Sequence, residues 1–249
     1  MSDQASNQPL RMKKIIRDEI IKLFAKIPLA TNLARKKFIS SFLLGIIDSR
    51  KVQFNEIALH IESDAKIESI ERTIQSFFKD YEFDFDQVCL LLIMFLPKGE
   101  LTLSIDRTEW DFGSYQCNIL MIVAKNGSVG IPLYWSLLDN NSGNSNCKDR
   151  IDLLSKLLNI IGKDRIGMIV GDREFIGIEW IKYLKINDIK FCMRVPKSHL
   201  VMLKNGNCYS IEELLNTQTE RYFQDCQVDG VWCNTMIKRL KEGDFLFLI

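Results

Sequence analysis

The feature of this 249-residue sequence that most constrains its fold is a change of hydrophobic period near residue 101. Upstream of that point, apolar residues recur at the three- and four-residue spacing of amphipathic helices. Downstream, residues 101–106 alternate between apolar and polar side chains, as a half-buried strand does. The pattern therefore predicts a helical region, residues 1–97, followed by a region built on a β-sheet.

Five helices are predicted in the first region. They cover residues 10–27, ended by Pro28, a stretch from about Thr31, and residues 54–60, 67–81 and 86–96. Residues 61–66 have the length of the link in a helix-turn-helix, and a plain helical bundle fits the same pattern. In the fourth helix one set of residues would face a DNA groove or solvent, namely Glu68, Ser69, Glu71, Arg72 and Gln75. Ile70, Ile74, Phe77 and Phe78 would face the interior.

The second region is predicted to form a mixed sheet with flanking helices. The predicted strands are 101–106, 117–124, 129–138, 165–171 and 189–195, with a tight turn at Asn126-Gly127. Helices are predicted over 149–161 and 175–184. This order resembles that of ribonuclease-H-like domains. We therefore expect an α+β or α/β fold with a helical, DNA-binding region over 1–97, a catalytic core over 98–195, and a strand-rich insertion over 196–249.

Composition excludes several classes of protein. The chain is 47% hydrophobic with 13 Gly and 5 Pro, which rules out disordered and collagen-like sequences. The apolar runs are too short to span a bilayer and the N-terminus lacks a signal core, so we expect a cytoplasmic protein without a membrane partner. Seven scattered Cys without a Cys-x-x-Cys pair, and two His, argue against a zinc site.

Charge is distributed unevenly along the chain. Residues 1–51 hold eleven Lys and Arg against four Asp and Glu, a net charge of +7, whereas the whole chain carries +1. Such a basic segment is suited to a polyanion, because each neutralised phosphate releases counterions. A solvated helix surface explains the same pattern. The candidate DNA-binding residues in the helical region are Lys13, Lys14, Arg35, Lys36, Lys37 and Arg72.

Two aspartates follow predicted strands. Asp106 ends the first strand and Asp172 directly follows the fourth. Carboxylates at the ends of neighbouring strands can share Mg²⁺, which prefers oxygen ligands, and paired metals can activate an oxygen nucleophile. Each Asp could equally begin a turn.

The residues around these aspartates resemble the DDE transposases of bacterial insertion sequences, specifically the insertion-sequence-four family. The resemblance covers about residues 100–195. It is carried by five blocks: Ser104-Ile105-Asp106-Arg107-Thr108-Glu109-Trp110, Gly130-Ile131-Pro132-Leu133-Tyr134-Trp135, Gly143-Asn144-Ser145, Gly171-Asp172-Arg173-Glu174-Phe175-Ile176-Gly177 and Phe191-Cys192-Met193-Arg194-Val195. Four single residues also match: Gly113 and Asn118 after the first block, and Trp180 and Leu184 after the fourth.

The resemblance implies an Asp, Asp, Glu triad that holds two Mg²⁺ or Mn²⁺ ions, cleaves a transposon end and transfers the freed strand to target DNA. Asp106 matches the first catalytic, metal-binding Asp and Asp172 the second. Arg173 is expected either to contact a DNA phosphate or to pair with Glu174 or another acid. Trp110 and Trp135 are expected to pack rather than to stack on bases. Double-stranded DNA, a second copy of the chain and a bacterial cytoplasm follow from the same resemblance.

One element of the family pattern is not found. The third catalytic Glu should lie in a Tyr, Arg, Glu, Lys pattern after the insertion, and no such spacing follows Asp172. We therefore expect a chain truncated before the third acid and inactive as a transposase. The alternatives are a DNA-binding remnant without catalysis and a metal-dependent nuclease of the same fold.

Overall fold

A computed structural model describes residues 3–27, 29–30, 32–138 and 143–249. The predicted helix end at Pro28 and helix start near Thr31 lie outside these ranges. The chain divides into two compact units, residues 1–91 and 92–249. Among the described residues, no helix combines the length and apolarity needed to cross a membrane.

The described part of the first unit is helical, as its apolar spacing predicts. Its helices, the last of which extends to the start of the second unit, are α1 (Asp3–Lys26), α2 (Leu33–Ser49), α3 (Phe54–Ala58), α4 (Ile67–Asp80) and α5 (Phe85–Ile93). The Asn32 side chain caps α2 by accepting a hydrogen bond of 2.8 Å from the Arg35 amide. Helix α2 ends where Arg50 adopts a left-handed conformation, with φ of 54°.

Apolar side chains of this unit pack in two clusters. One is centred on Phe24 and Ile39, and the other on Ile57 and Ile74. Phe78 was expected inside, and that prediction is wrong, since 41% of it is exposed. Phe78 follows Ile74 by four residues and so lies on the same face of α4. Its ring packs on those of Phe42 and Phe54, with centroids 5.0 and 5.4 Å away, and near the end of the helix the rest of the side chain is left to solvent.

The second unit contains a five-stranded mixed sheet. Its strands are β1 (Leu101–Phe112), β2 (Tyr115–Asn126), β3 (Val129–Leu137), β4 (Ile166–Gly171) and β5 (Phe191–Met193). Their order is β3-β2-β1-β4-β5. Strands β1 to β3 are antiparallel, while β4 runs parallel to both β1 and β5. This order and these directions make the sheet ribonuclease-H-like.

Two helices accompany the sheet, α6 (Cys147–Ile161) and α7 (Ile178–Ile186). Asn146 caps α6 in a reciprocal box with Asp149. The predicted helix 175–184 starts later than expected, because Arg173–Phe175 forms one 3₁₀ turn before Gly177. That turn lies directly after Asp172.

The remaining residues form a second sheet. It contains β6 (Val201–Met202), β7 (Cys208–Tyr209), β8 (Glu220–Val228), β9 (Val231–Arg239) and β10 (Phe245–Leu248), with α8 (Ile211–Leu215) between β7 and β8. The order is β10-β9-β8-β6-β7, with antiparallel neighbours. Strand β8 was not predicted, since few of its residues are apolar.

Strand β10 also joins the two sheets. The Met193 amide donates to the Ile249 carbonyl at 2.8 Å, and the Val195 amide donates to the Phe247 carbonyl at 2.8 Å. Strand β10 therefore runs antiparallel to the end of β5. As a result, the residue before β10, Asp244, lies near the carboxyl ends of β4 and β5.

Candidate active site

Asp106 lies within β1, and Asp172 directly follows the neighbouring strand β4. The prediction that Asp106 ends its strand is wrong, because β1 continues to Phe112 by pairing with β2. Ile105 pairs with Gly171 across the parallel strands β1 and β4, and each aspartate directly follows one member of that pair. Both side chains are exposed. Adjacent strands lie about 4.8 Å apart, so the backbones of the two aspartates lie side by side.

Gly171 allows the strands and the turn around it to pack closely. A Cβ at this position would lie 2.9 Å from Met193 Sδ and 3.1 Å from both Ile105 Cγ2 and Phe175 Cβ. These distances leave little or no room for a side chain. The glycine before Asp172 therefore lets β1, β4, β5 and the following turn approach one another.

A network of ion pairs and hydrogen bonds beside the two aspartates is centred on Arg107, the residue after Asp106. Its Nε donates to Glu174 Oε2 at 3.3 Å and its Nη1 to Asn118 Oδ1 at 3.2 Å, and it also pairs with Glu109. The Gly143 amide donates to Glu109 at 3.2 Å, and Asn118 Nδ2 donates to the Gly143 carbonyl at 3.1 Å. Two of the sequence blocks thus meet at one guanidinium, and a third reaches its partners Glu109 and Asn118 through Gly143.

The charge of Glu109 is stabilised by this network. Its pKa lies below the ordinary value of 4.5, because the Arg107 side chain and then the Gly143 amide donate hydrogen bonds to it. The fixed carboxylate in turn holds the loop that begins at Gly143 against β1.

A second arginine, Arg150 of α6, is buried. Its Nε donates to Ser145 Oγ at 2.9 Å, and its Nη2 donates to the carbonyls of Ser145 at 2.6 Å and Glu174 at 2.8 Å. Its guanidinium carbon lies 5.1 Å from the centroid of the Phe175 ring. Burial lowers the pKa of Arg150. This side chain fastens the turn after Asp172 to the helix that packs beside the sheet.

Arg173 lies close to an acidic side chain, but that side chain is not Glu174. Its Nη2 is 4.0 Å from Asp244 Oδ2, while Glu174 pairs with Arg107. The exposure of these groups differs, since the Arg173 side chain is 42% exposed and that of Glu174 21%. Glu174 Oε1 is buried and has no hydrogen-bond partner in the part of the chain that the structure describes.

The structure adds two residues that the sequence did not single out, Arg194 and Asp244. Arg194 Nη1 lies 3.8 Å from Asp172 Oδ1, and Arg194 Nη2 lies 3.9 Å from Asp244 Oδ2. Arg194 belongs to the last of the five sequence blocks, so a signal for it was present. Asp244 had none, because its approach depends on the pairing of β10 with the end of β5.

The two tryptophans of the blocks differ. Trp135 is half-buried. Trp110 is 55% exposed, and the expectation that it packs rather than stacks on bases stays a prediction. Strand β4 ends at the level of Ile105, and the part of β1 beyond it has β2 as its neighbour but not β4. Trp110 lies on that overhanging part of the hairpin.

The donor set at the two aspartates fits a hard cation. Carboxylate oxygens are the ligands that Mg²⁺ and Mn²⁺ take, and Mg²⁺ keeps water or substrate phosphate in its remaining positions. Among the residues that the structure describes, no group of three or more His, Cys, Asp or Glu is arranged to hold a metal. Asp106 and Asp172 would therefore offer a cation two carboxylates rather than a closed protein cage.

In the helical unit, Arg35 and Arg72 line one groove between α2 and α4, together with Ser69 and Thr73. The Arg35 guanidinium carbon lies 4.9 Å from the centroid of the Tyr81 ring. The other candidate basic residues lie elsewhere: Lys13 pairs with Asp48 at 2.7 Å, Lys14 and Lys37 are exposed, and Lys36 is half-buried.

The predicted outer face of α4 is largely exposed. Glu68, Ser69, Arg72 and Gln75 are exposed, and Glu71 is half-buried. This agrees with either alternative, a helix that faces DNA or one that faces solvent.

No protein-family model matches the sequence, and no curated protein matches it. Among solved structures, the chain is similar to the HTLV-2 integrase catalytic core domain in complex with magnesium, at 15% identity and a TM-score of 0.29, over 39% of this chain and 60% of that one. It is also similar to the piggyBac transposase synaptic complex with hairpin DNA, at 16% identity and a TM-score of 0.43, over 94% of this chain and 57% of that one.

A third similar structure is the simian T-cell lymphotropic virus intasome in complex with a PP2A regulatory subunit, at 14% identity and a TM-score of 0.29, over 41% and 37% of the two chains. In each case the match spans less than two thirds of the similar chain. The fold assignment above rests on the order and direction of the strands.

Proposed function

We propose that this protein is a DNA transposase that resembles the insertion-sequence-four family, with Asp106 and Asp172 as two of its metal-binding catalytic carboxylates. The observation that carries the proposal is the register of β1 and β4, in which Ile105 pairs with Gly171 and brings the next residues side by side. Oxygen donors so placed are those that two-metal phosphodiester chemistry requires.

The proposed reaction has two steps. In the first, a water oxygen forms a bond to phosphorus at the end of the transposon while the bond to the 3′ oxygen breaks, which leaves a 3′-hydroxyl and a 5′-phosphate. In the second, that 3′-hydroxyl attacks a phosphodiester of target DNA and displaces another 3′ oxygen. Bound Mg²⁺ or Mn²⁺ would activate the attacking oxygen and stabilise the leaving one.

The protein's own residues would hold this chemistry in place. Asp106 and Asp172 would bind the cations. By pairing with Glu109 and Glu174, Arg107 would fix the strand and the turn that carry the two aspartates. Arg173 is exposed beside the site, where it would contact a DNA phosphate. A fixed geometry matters because the aspartates must not move when the phosphate charge develops.

Mn²⁺ binding tests the metal site without depending on catalysis. We expect electron paramagnetic resonance to show Mn²⁺ bound to the purified chain and bound much more weakly to Asp106→Asn and Asp172→Asn. Asp188→Asn is the control, since Asp188 is an exposed acid paired with Lys163. Equal Mn²⁺ binding by all variants would refute the assignment of the two aspartates.

Nicking and joining of plasmid DNA in Mg²⁺ separate the alternatives. Nicks accompanied by joined products support a transposase, whereas nicks alone support a metal-dependent nuclease. Binding of Mn²⁺ and DNA without either product supports the DNA-binding remnant. Nicking that persists in Asp172→Asn would place the activity at another site.

Double-stranded DNA is the proposed partner of the helical unit as well. The groove that contains Arg35 and Arg72 beside the hydroxyls of Ser69 and Thr73 favours this, since such groups bind the DNA backbone. Each neutralised phosphate contributes about 0.9 to the slope of log affinity against log salt. The double variant Arg35→Gln, Arg72→Gln should therefore lose up to about 1.8 of that slope.

Lys22→Gln is the matched control for the DNA-binding test, because Lys22 is an exposed base on α1 that pairs with Glu19. Fluorescence anisotropy with labelled duplex DNA measures the slope. If the double variant behaves like Lys22→Gln, the groove is not part of the DNA-binding surface. Binding that is indifferent to salt would refute the electrostatic model altogether.

A further inference from the structure

Two arginines converge on one carboxylate beside the candidate active site. Arg173 follows β4 and Arg194 follows β5, and their Nη2 atoms lie 4.0 and 3.9 Å from the same oxygen, Asp244 Oδ2. Arg194 also lies 3.8 Å from Asp172 Oδ1. The cluster therefore adjoins one of the two proposed metal ligands.

The ion pairs within this cluster are weak enough for another anion to displace Asp244. Charge-assisted hydrogen bonds between nitrogen and oxygen measure about 2.7–2.9 Å, and all three distances here are longer. The side chains of Arg173, Arg194 and Asp244 are 42%, 32% and 53% exposed. Ion pairs at that exposure contribute about 0–1 kcal/mol. An anion with more oxygens could therefore replace Asp244.

Arg194 has donor capacity that the protein does not use. Its Nε is buried without a hydrogen-bond partner in the described part of the chain. A guanidinium has five N–H donors in a planar fork that matches phosphate. The pairing of Val195 with Phe247 anchors the backbone next to Arg194 and holds Asp244 close to it.

We propose that Arg173 and Arg194 together bind the DNA phosphate next to the reacting bond, and that Asp244 occupies the position of this phosphate when DNA is absent. This inference rests on the proposed function and assigns it a phosphate-binding residue, Arg194, and a competing carboxylate, Asp244. When DNA binds, the phosphate replaces Asp244 between the guanidiniums and draws Arg194 away from Asp172. The Asp172 carboxylate then has one fewer cationic neighbour.

The test compares two substitutions with opposite expected signs. The probe is a labelled mixed-sequence DNA duplex with a 3′ overhang, and the measurement is its affinity by fluorescence anisotropy over a series of salt concentrations. Arg194→Gln should weaken binding roughly tenfold and lower the salt slope by about 1, as the loss of one phosphate contact does. Asp244→Asn should strengthen binding severalfold, because it removes the competing negative charge.

Each substitution has a matched control. Lys197→Gln removes one exposed positive charge three residues from Arg194, and Asp188→Asn removes one paired, exposed acid away from the cluster. An effect of Arg194→Gln no larger than that of Lys197→Gln would overturn the inference. So would an Asp244→Asn protein that binds DNA no better than Asp188→Asn. Damage to the fold cannot produce the gain in affinity that is expected of Asp244→Asn.

The outcomes also separate this inference from the proposed function. If the unsubstituted chain does not bind the duplex, both are refuted. If it binds DNA, and its Mn²⁺ binding depends on Asp106 and Asp172 while Asp244→Asn changes nothing, the inference alone fails and the two-aspartate site stands.

Discussion

Replacement of the buried Arg150 tests whether its hydrogen bonds stabilise the turn that follows Asp172. Replacing it with Met keeps an unbranched apolar stem of similar reach and removes the guanidinium. Ser145 Oγ and the carbonyls of Ser145 and Glu174 then lose their donor. A buried acceptor left without a partner costs about 1–3 kcal/mol, so the two carbonyls alone account for about 2–6 kcal/mol.

The expected loss lies in the lower half of that range, because Met also removes the cost of keeping a charge buried. We therefore expect Arg150→Met to lower the free energy of unfolding by about 3 kcal/mol. With a urea dependence of about 2 kcal/mol per molar, the unfolding midpoint falls by about 1.5 M.

Tryptophan fluorescence is the appropriate assay. The four tryptophans, Trp110, Trp135, Trp180 and Trp232, all belong to the unit that contains Arg150. Fluorescence during urea unfolding therefore reports on that unit.

Lys148→Met on the same helix is the control. Lys148 is 83% exposed and pairs with Asp152 four residues on, a contact that contributes about 0.5 kcal/mol or less. If Arg150→Met and Lys148→Met unfold at the same urea concentration, the hydrogen bonds of Arg150 do not hold the turn after Asp172, and the reasoning is refuted.

Three further predictions follow from local geometry. Gly171→Ala should lower the free energy of unfolding by about 1–3 kcal/mol in the same fluorescence assay, because its Cβ would lie 2.9 Å from Met193 Sδ. Gly177→Ala is the control and should leave stability unchanged, since its Cβ would meet nothing within 4 Å. Equal losses in the two variants would contradict the packing argument. The native state lowers the pKa of Glu109 from 4.5, so Glu109 stabilises the fold above that pH and loses its effect as the pH falls through the lowered pKa. The stability difference between the unsubstituted protein and Glu109→Gln should therefore shrink on acidification. A constant difference would argue against the ion pair with Arg107. Asn32→Ala should cost the helical unit about 1 kcal/mol by removing the cap of α2, measured by far-ultraviolet circular dichroism, and an unchanged unfolding curve would show that the cap is dispensable.

The elements that the sequence predicted are those whose pattern is local. Helices α1 to α5 and strands β1 to β5 each show a local apolar pattern, either a period or a short apolar run, and the ribonuclease-H-like sheet that they predict is confirmed. Strand β8 shows little such period, since it is mostly exposed and pairs through its backbone with β9. Phe78 was misplaced for a related reason, since exposure depends on which neighbour covers a side chain.

Sequence alone placed Asp172 directly after its strand, because a short apolar run marks where β4 lies. It did not show that β1 continues beyond Asp106 to Phe112, since residues 107–112 carry few apolar side chains and extend the strand by pairing with β2. The catalytic role of the two aspartates remains a prediction. Tertiary structure decided which charges meet around them: Arg107 with Glu174 across 67 positions, and Arg173 and Arg194 with Asp244. Residues so far apart in the chain meet through strand pairing, and the pairing of β10 with the end of β5 leaves no mark on the sequence near Asp244.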